Sequence, residues 1–370
     1  VISGRVANRL DLGGSNYTID AACASTLLAV DLAVGELREG KADVALAGGV
    51  HLCHDVAFWS VFSQLGALSR TQQIRPFDRN ADGLLIGEGI GMFVLKRLAD
   101  ARRDDDRIYA VIRGTGTSSD GRDTGLMAPG VEGQVLALTR AWQDAGLDPA
   151  TVGLVEAHGT ATTAGDTAEL STLARIFGPT NGDRVPIGSV KSMIGHTMPA
   201  AGAAGLIKAA LAAHHGVLPP TLHCSDPHPL LERTRFRPLA AAQPWPSDLR
   251  RAAVNAFGFG GINAHVILDA PEAAARSTVR VPAGHVDDPA LVVAADSQDA
   301  LLEGVARGTS GGEGPWRVAV IAPTAKRVDS AVAAIKAGRP RHGRDSLYFS
   351  PEGLVAAGGS LVLESFPVVG

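Results

Sequence analysis

Asn16-Tyr17-Thr18-Ile19-Asp20-Ala21-Ala22-Cys23-Ala24-Ser25 is the stretch on which the fold of this chain turns. Its first five residues read as a strand. Leu27, Val30, Val34 and Leu37 then recur at helical spacing, and Gly40 is placed to cap that helix. Cys23 therefore falls in a turn from strand to helix, where a nucleophile is pushed out of a sheet and small flanking residues permit the turn. A helix N-terminus favours thiolate, so a lowered thiol pKa is expected. The same cysteine reads equally well as a small buried hydrophobe. Val44–Ala47 follows as an apolar run of strand length, closed by Gly48 and Gly49.

Outward from this unit, strands and helices alternate. Gly91–Leu95 and Ile108–Ile112 read as strands flanking a charged turn, Ala99–Arg107. Val131–Ala145, Asp166–Phe177 and Ala200–His215 read as helices. Val152–Glu156 and Ile187–Val190 read as strands, and Val254–Phe257 and His265–Leu268 bracket a Gly-rich turn. The pattern is that of an α/β fold with buried sheets. Composition shifts at Pro271, so the expected boundaries are a first domain over 1–270, a linker over 271–289 and a small α/β module over 290–370. In that module Ala290–Ala295, Trp316–Pro323 and Ser360–Glu364 read as strands, and Ser297–Arg307 and Asp329–Ala337 as helices.

The 370 residues carry 34 basic and 38 acidic side chains, a net charge of −4, which gives no footprint for nucleic acid or a membrane surface. Cys23, Cys53 and Cys224 are too few for a disulfide framework and form no CxxC pair, so a reducing cytoplasm is the simplest setting. The longest apolar stretch, Ala200–Val217, is interrupted by Lys208, His214 and His215 and reads as a buried helix.

Three further segments carry chemistry. Glu156-Ala157-His158-Gly159-Thr160-Ala161-Thr162-Thr163-Ala164-Gly165-Asp166 delivers a histidine from a strand end into a loop of small and hydroxyl residues. Gly188-Ser189-Val190-Lys191-Ser192-Met193-Ile194-Gly195-His196-Thr197 delivers a lysine and then a histidine from another. A lone histidine is more often structural, but ligand sites in α/β sheets gather at strand C-termini, so a thiol and two histidines at three such ends can converge. Asn255-Ala256-Phe257-Gly258-Phe259-Gly260-Gly261-Ile262-Asn263-Ala264-His265 allows close backbone approach and free N–H groups; alone it is also a plain Gly-rich hairpin.

Together, in this order, DAACAS, EAHGTATTAGD, GSVKSMIGHT and NAFGFGGINAH resemble the β-ketoacyl synthases of fatty-acid and polyketide synthases, a branch of the thiolase superfamily. The resemblance covers about residues 1–270, and HTMPAAGAAGLIKAAL with LPPTLHC is most similar to iterative polyunsaturated-fatty-acid and enediyne synthases. It implies a thiolase-like duplicated, layered α/β/α/β/α fold. Its first half is expected to be incomplete, because only Val1–Ala22 precede Cys23. It also implies that residues 290–370 are the small α/β linker leading to an acyltransferase domain.

The roles implied by the resemblance are as follows. Cys23 takes an acyl group from a thioester on the phosphopantetheine arm of an acyl carrier protein. The backbone N–H groups of Cys23 and Phe259 hold the oxyanion. His158 and His196 stabilise the enolate formed as a malonyl-type extender loses CO2. Lys191 is organising, and Glu169 bonds to it. Thr160 and Thr162 hold the pantetheine arm beside Phe257, Gly258 and Gly260, and Phe259 gates the acyl pocket. No metal or other directly bound cofactor is implied. A homodimer is, with Tyr17–Ala21 along the partner's equivalent strand. Ala161 and Ile262 stand where many relatives carry Gly or Ser, and Thr.

Related chemistries fit less well. A thiolase needs a second reactive cysteine late in the chain, and neither Cys224-Ser225-Asp226 nor Cys53-His54-Asp55 supplies its context. A chalcone-synthase-like enzyme would carry asparagine in place of His196, and a decarboxylase-only domain would lack Cys23. The alternative from another class is a non-catalytic structural or docking fragment of a polyketide synthase.

Overall fold

The computed structural model describes residues 1–52, 55–122, 125, 128–179, 182, 184–272, 290–342 and 347–352. The chain divides into two compact units, Val1–Ser277 and Thr278–Gly370.

In the first unit, helices α1 (Ile2–Leu10) and α2 (Ser25–Arg38) precede strand β1 (Val44–His51), helix α3 (Val56–Gln64) and strand β2 (Gly89–Lys96). Next come α4 (Leu98–Arg103), β3 (Val111–Ser119), α5 (Val131–Ala145), β4 (Leu154–Glu156), α6 (Thr163–Phe177), β5 (Val185–Gly188), α7 (Lys191–Ile194) and α8 (Ala201–His215). Short strands β6 (Val217–Leu218), β7 (Phe236–Pro238) and β8 (Gln243–Pro244) lead to the hairpin of β9 (Arg251–Gly258) and β10 (Ile262–Asp269). A six-stranded sheet has the order β3-β10-β9-β4-β5-β7, and β1 pairs with β2 in a separate antiparallel sheet.

Burial sorts these elements into layers. Strand β9 is buried on both faces, with Ala252, Val254 and Ala256 on one side and Ala253 and Phe257 on the other. The first side packs on Leu27 and Val30 of α2 and Leu206 and Ala209 of α8, in a core that also takes Ala47 of β1 and Phe93 of β2. The second side packs on Leu138 and Trp142 of α5 and Leu170 and Leu173 of α6. Helices α2 and α8 are therefore sandwiched between the two sheets. A parallel pair, β4 and β5, lies at the heart of the larger sheet, so both strand ends open on the same side.

Three local expectations are corrected. Asn16–Asp20 forms no strand; a strand exists by pairing, and no described segment pairs with it. Gly48 and Gly49 do not close β1 but lie within it, because the small sheet sits directly on the helices: a Cβ on Gly49 would stand 2.1 Å from Thr26 Oγ1. The charged segment after Ala99 begins inside α4, whose Asp100 and basic last turn suit the helix dipole, and the next strand starts at Val111, three residues late.

The second unit folds β11 (Ala290–Ala295), α9 (Gln298–Arg307), β12 (Trp316–Ile321), α10 (Ala325–Lys336), β13 (Arg341–His342) and β14 (Leu347–Ser350) into a sheet of order β11-β12-β14-β13. Leu301, Val305, Ala331 and Ile335 cover Val293, Val318, Val320 and Phe349. Helix α10 starts at Ala325, earlier than the expected Asp329, because Thr324 caps it by accepting the Arg327 N–H. The expected strand Ser360–Glu364, and all but Glu272 of 272–289, lie outside the described residues. Among the described residues no helix is long and apolar enough to cross a membrane.

Candidate active site

Cys23 sits in a 3₁₀ turn, Ala22–Ala24, that runs straight into α2. Ala22 has φ +48°, a left-handed conformation unfavourable for a residue with a Cβ. Hydrogen bonds hold it there: Asp20 Oδ1 accepts the Ala22 N–H at 2.9 Å, and Ser25 Oγ accepts the Ala21 N–H at 2.9 Å while donating to the Ala22 carbonyl at 2.7 Å. The thiol is buried. His196 Nε2 lies 3.1 Å from its Sγ.

The tautomer of His196 follows from its other nitrogen. The Met198 N–H donates to Nδ1 at 3.1 Å, so the ring proton is on Nε2 and points at the sulfur. Burial, then the charge of Lys191, holds both His196 and His158 well below the usual histidine range, so each ring is neutral. The two rings stand edge to face, 5.5 Å between centroids, and Phe257 packs against His158 at 5.6 Å. Cys23, His158 and His196 bring one ligand-type atom each within 4.8 Å of one another. A metal ion on this trio would need the Nε2 lone pair of His196, which the Met198 N–H denies it. Within the trio His196 is arranged to donate a hydrogen bond and Cys23 to accept one.

Two buried carboxylates hold the loops that follow β4 and β5. Glu169 on α6 accepts the backbone N–H groups of His158 and Gly159, both at 2.8 Å, and the Asn255 side-chain amide at 2.8 Å. Lys191 reaches the His158 carbonyl at 2.5 Å. The expected Lys191–Glu169 bond is absent, because three N–H donors already occupy that carboxylate; the lysine acts on it only through space. Burial lowers the Lys191 pKa, against the pull of Glu156, Cys23, Glu169 and Asp166. Glu156, at the end of β4, accepts the Val190 N–H at 2.6 Å and pairs with Lys208 of α8 at 2.8 Å, the lysine being 12% exposed and the carboxylate 2%.

The hairpin turn between β9 and β10 closes the third side. A Cβ on Gly258 would stand 2.5 Å from the Ala21 carbonyl oxygen, so only glycine lets this strand approach the Cys23 turn. Lys191 and, after it, the backbone N–H groups of Phe259 and Cys23 favour the thiolate. Burial outweighs them and pushes the thiol up to about 11. The expectation of a lowered thiol pKa is thus overturned: a helix N-terminus cannot offset full desolvation of the charged form. The Phe259 side chain is 41% exposed and stacks on Phe62 of α3, with centroids 6.0 Å apart.

Thr160 and Thr162 share a hydroxyl contact of 3.0 Å, but Thr162 also caps α6 by accepting the Gly165 N–H at 3.2 Å. Sequence reasoning assigned no role to Asp166, Asn255, His265, Glu156 or Lys208. Asp166 accepts the Phe77 and Ala161 N–H groups at 2.7 and 3.1 Å, and burial pushes it up to about 7. Asn255 and His265 were legible as cross-strand partners, being equidistant from the hairpin turn. Lys208 carried a signal too, as a charge in the middle of an apolar helix. Cys53 lies outside the described residues, and Cys224, pushed up to about 12 by burial, donates to the Phe77 carbonyl at 3.4 Å.

Known families account for this arrangement. The profile described as "Beta-ketoacyl synthase, N-terminal domain" matches residues 1–101, "Beta-ketoacyl synthase, C-terminal domain" matches 109–225, and "Ketoacyl-synthetase C-terminal extension" matches 227–311. The chain belongs to the β-ketoacyl synthase family. This ketosynthase is 45% identical over 275 residues to one subunit of the phenolphthiocerol/phthiocerol polyketide synthase of Mycobacterium tuberculosis, a match covering 73% of this chain and 15% of that protein. It is 40% identical over 311 residues to one subunit of the polyunsaturated fatty acid synthase of Thraustochytrium sp., covering 81% of this chain and 11% of that one. Among solved structures, the ketosynthase from module 6 of the bacillaene synthase of Bacillus subtilis 168 superposes with a TM-score of 0.71 at 31% identity, covering 92% of this chain and 64% of that one. The fold is the thiolase-like ketosynthase fold, and the domain is of the polyketide-synthase type, with the expected likeness to polyunsaturated-fatty-acid synthases. The ketosynthase spans a small fraction of the curated relatives it matches and 64% of the solved bacillaene domain.

Proposed function

We propose that this ketosynthase forms carbon–carbon bonds by decarboxylative Claisen condensation, with Cys23 as its nucleophile. The observation that carries the proposal is the convergence of Cys23 Sγ on the Nε2–H of His196 and on the backbone N–H groups of Cys23 and Phe259. In the course of acyl transfer the proton of the thiol passes to the departing pantetheine sulfur. The Cys23 sulfur attacks the thioester carbonyl, the oxyanion rests on the two N–H groups, and the carrier's pantetheine thiol leaves with that proton. A malonyl thioester next loses CO2. The electron pair of the broken C–C bond becomes an enolate, whose oxygen takes the Nε2–H of His196 and the neighbouring ring of His158. The enolate carbon attacks the acyl-Cys23 carbonyl, and Cys23 departs as thiolate.

Because both histidines are neutral, they stabilise charge as donors without neutralising it in the resting site. Burial, reinforced by the charge of Lys191, keeps them neutral, and Lys191 fixes the His158 loop through its carbonyl. In this reading Thr160 and Thr162, with Phe257, Gly258 and Gly260, receive the phosphopantetheine arm of an acyl carrier protein, and Phe259 closes the acyl pocket against Phe62. No cofactor is needed beyond the carrier's arm. The assembly that fits is a cytoplasmic homodimer in which 271–289 links residues 1–270 to a small α/β module that leads to an acyltransferase domain.

The two half-reactions test this. Cys23→Ala abolishes acyl transfer yet retains some decarboxylation of malonyl carrier, because both histidines remain. His196→Ala slows decarboxylation far more than acylation. Intact mass spectrometry reads the first, and release of CO2 the second. Loss of acylation alone in both variants would mean the roles are misassigned, and a wild-type chain inert in both would favour the docking-fragment reading.

A further inference from the structure

A chain of buried hydrogen bonds runs from the β9–β10 hairpin to the backbone of His158, and its donor directions are determined throughout. Glu169 is acceptor only when ionised, so the Asn255 amide that meets its Oε1 at 2.8 Å is the NH2 end. Asn255 Oδ1 is then an acceptor, and the His265 ring nitrogen 2.6 Å away is an Nδ1–H donor. His265 is fully buried and pushed down to about 3, and its Nε2 has no hydrogen-bond partner among the described residues, as suits the unprotonated nitrogen of a neutral ring. Glu169 passes the constraint on by gripping the N–H groups of His158 and Gly159 with its two oxygens. Gly159 sits at φ +44°, which glycine adopts readily, and a Cβ there would stand 2.8 Å from Ser189 Cβ, so the turn requires a glycine, and the Glu169 carboxylate pins its otherwise permissive backbone.

We propose that Asn255 and His265 are positioning residues for His158, acting through Glu169 to aim its ring at the space above Cys23. The inference rests on His158 acting in the decarboxylation step. Without the Asn255 amide, Glu169 is held only by the two backbone N–H groups, with Lys191, after β5, as the cation that favours its ionised form. Asp166, on α6 itself, opposes ionisation of Glu169 by its charge, the adjoining His158 ring is neutral, and the neutral ring of His265 lies beyond Asn255. Burial already raises the Glu169 pKa, and Asn255 is one of the hydrogen bonds that hold it down. Removing Asn255 raises it further, so protonation frees the His158 turn at a higher pH than in the wild type.

The test uses the full chain with acetyl-pantetheine and malonyl-pantetheine thioesters, between about pH 5 and 8. Asn255→Leu lowers kcat for malonyl decarboxylation about 10- to 100-fold with little change in KM, and it moves the acid limb of that profile upward. Acetylation of Cys23, followed by intact mass, stays within about threefold of wild type. His265→Leu, which frees the amide to rotate, lowers decarboxylation less; His265→Asn restores it, since an amide N–H can stand where Nδ1–H does. A folded Asn255→Leu with an unmoved acid limb and near-wild-type decarboxylation overturns the proposal, as does an equal fall in both half-reactions. If Asn255→Leu does not fold, the two His265 variants decide, and equal rates in them overturn it. A wild-type chain that performs neither half-reaction refutes the parent reading instead.

Discussion

Gly258→Ala isolates the oxyanion geometry from every side chain of the site. Gly258 has an ordinary φ, so its own backbone accepts a Cβ without strain. The conflict is with a neighbour: the new methyl meets the Ala21 carbonyl oxygen at 2.5 Å, about 0.9 Å short of ordinary van der Waals contact, and lies 3.4 Å from the Cys23 nitrogen. Both neighbours are backbone, and the Cys23 turn is pinned by Asp20 and Ser25. The hairpin therefore yields, carrying the Phe259 N–H away from the sulfur by the better part of an ångström. Loss of one oxyanion donor costs about 2.7–4 kcal/mol of transition-state stabilisation, or 100- to 1,000-fold. Overpacking costs about 1–3 kcal/mol of stability. Single-turnover acylation of Cys23, followed by intact mass and paired with thermal unfolding, measures the two effects separately. A variant that acylates within about threefold of wild type would show that the Phe259 N–H is not part of the oxyanion site.

The protonation of Cys23 makes a second prediction: its alkylation by iodoacetamide rises about tenfold per pH unit toward about 11, with Cys224 slower still, and a plateau below about pH 8 would show that the local donors outweigh burial. Lys208→Met strands the buried Glu156 carboxylate and lowers unfolding free energy by about 3–5 kcal/mol in chemical denaturation, with part recovered on adding Glu156→Gln; a loss below about 1 kcal/mol would mean that water or another cation reaches Glu156.

Much of the site was legible in the sequence. Cys23 stands just before α2, His158 just after β4, Lys191 at the start of α7 and His196 two residues past it, and apolar periodicity locates such boundaries without tertiary information. Helix α5 and the hairpin of β9 and β10 were readable for the same reason. The Gly-rich hairpin was recognisable as a place of close backbone approach, because only glycine removes the Cβ that would forbid it.

What the sequence did not determine depends on partners distant in the chain. Asn16–Asp20 has strand-like residues but no segment to pair with among the described residues, and Gly48–Gly49 looked like a stop until the packing of β1 on α2 required them inside the strand. The Cys23 thiol pKa could not be read from a helix N-terminus, since its sign is set by desolvation, a property of everything packed around the sulfur. The Nε2–H tautomer of His196 depends on a backbone N–H two residues on, at a left-handed Met198. The relay from His265 through Asn255 to Glu169 joins residues up to 96 positions apart in a chain of hydrogen bonds that exists only once α6 lies against the sheet. Local pattern places chemical groups at the ends of elements; only the packing of those elements decides which groups meet, which are desolvated and which nitrogen carries the proton.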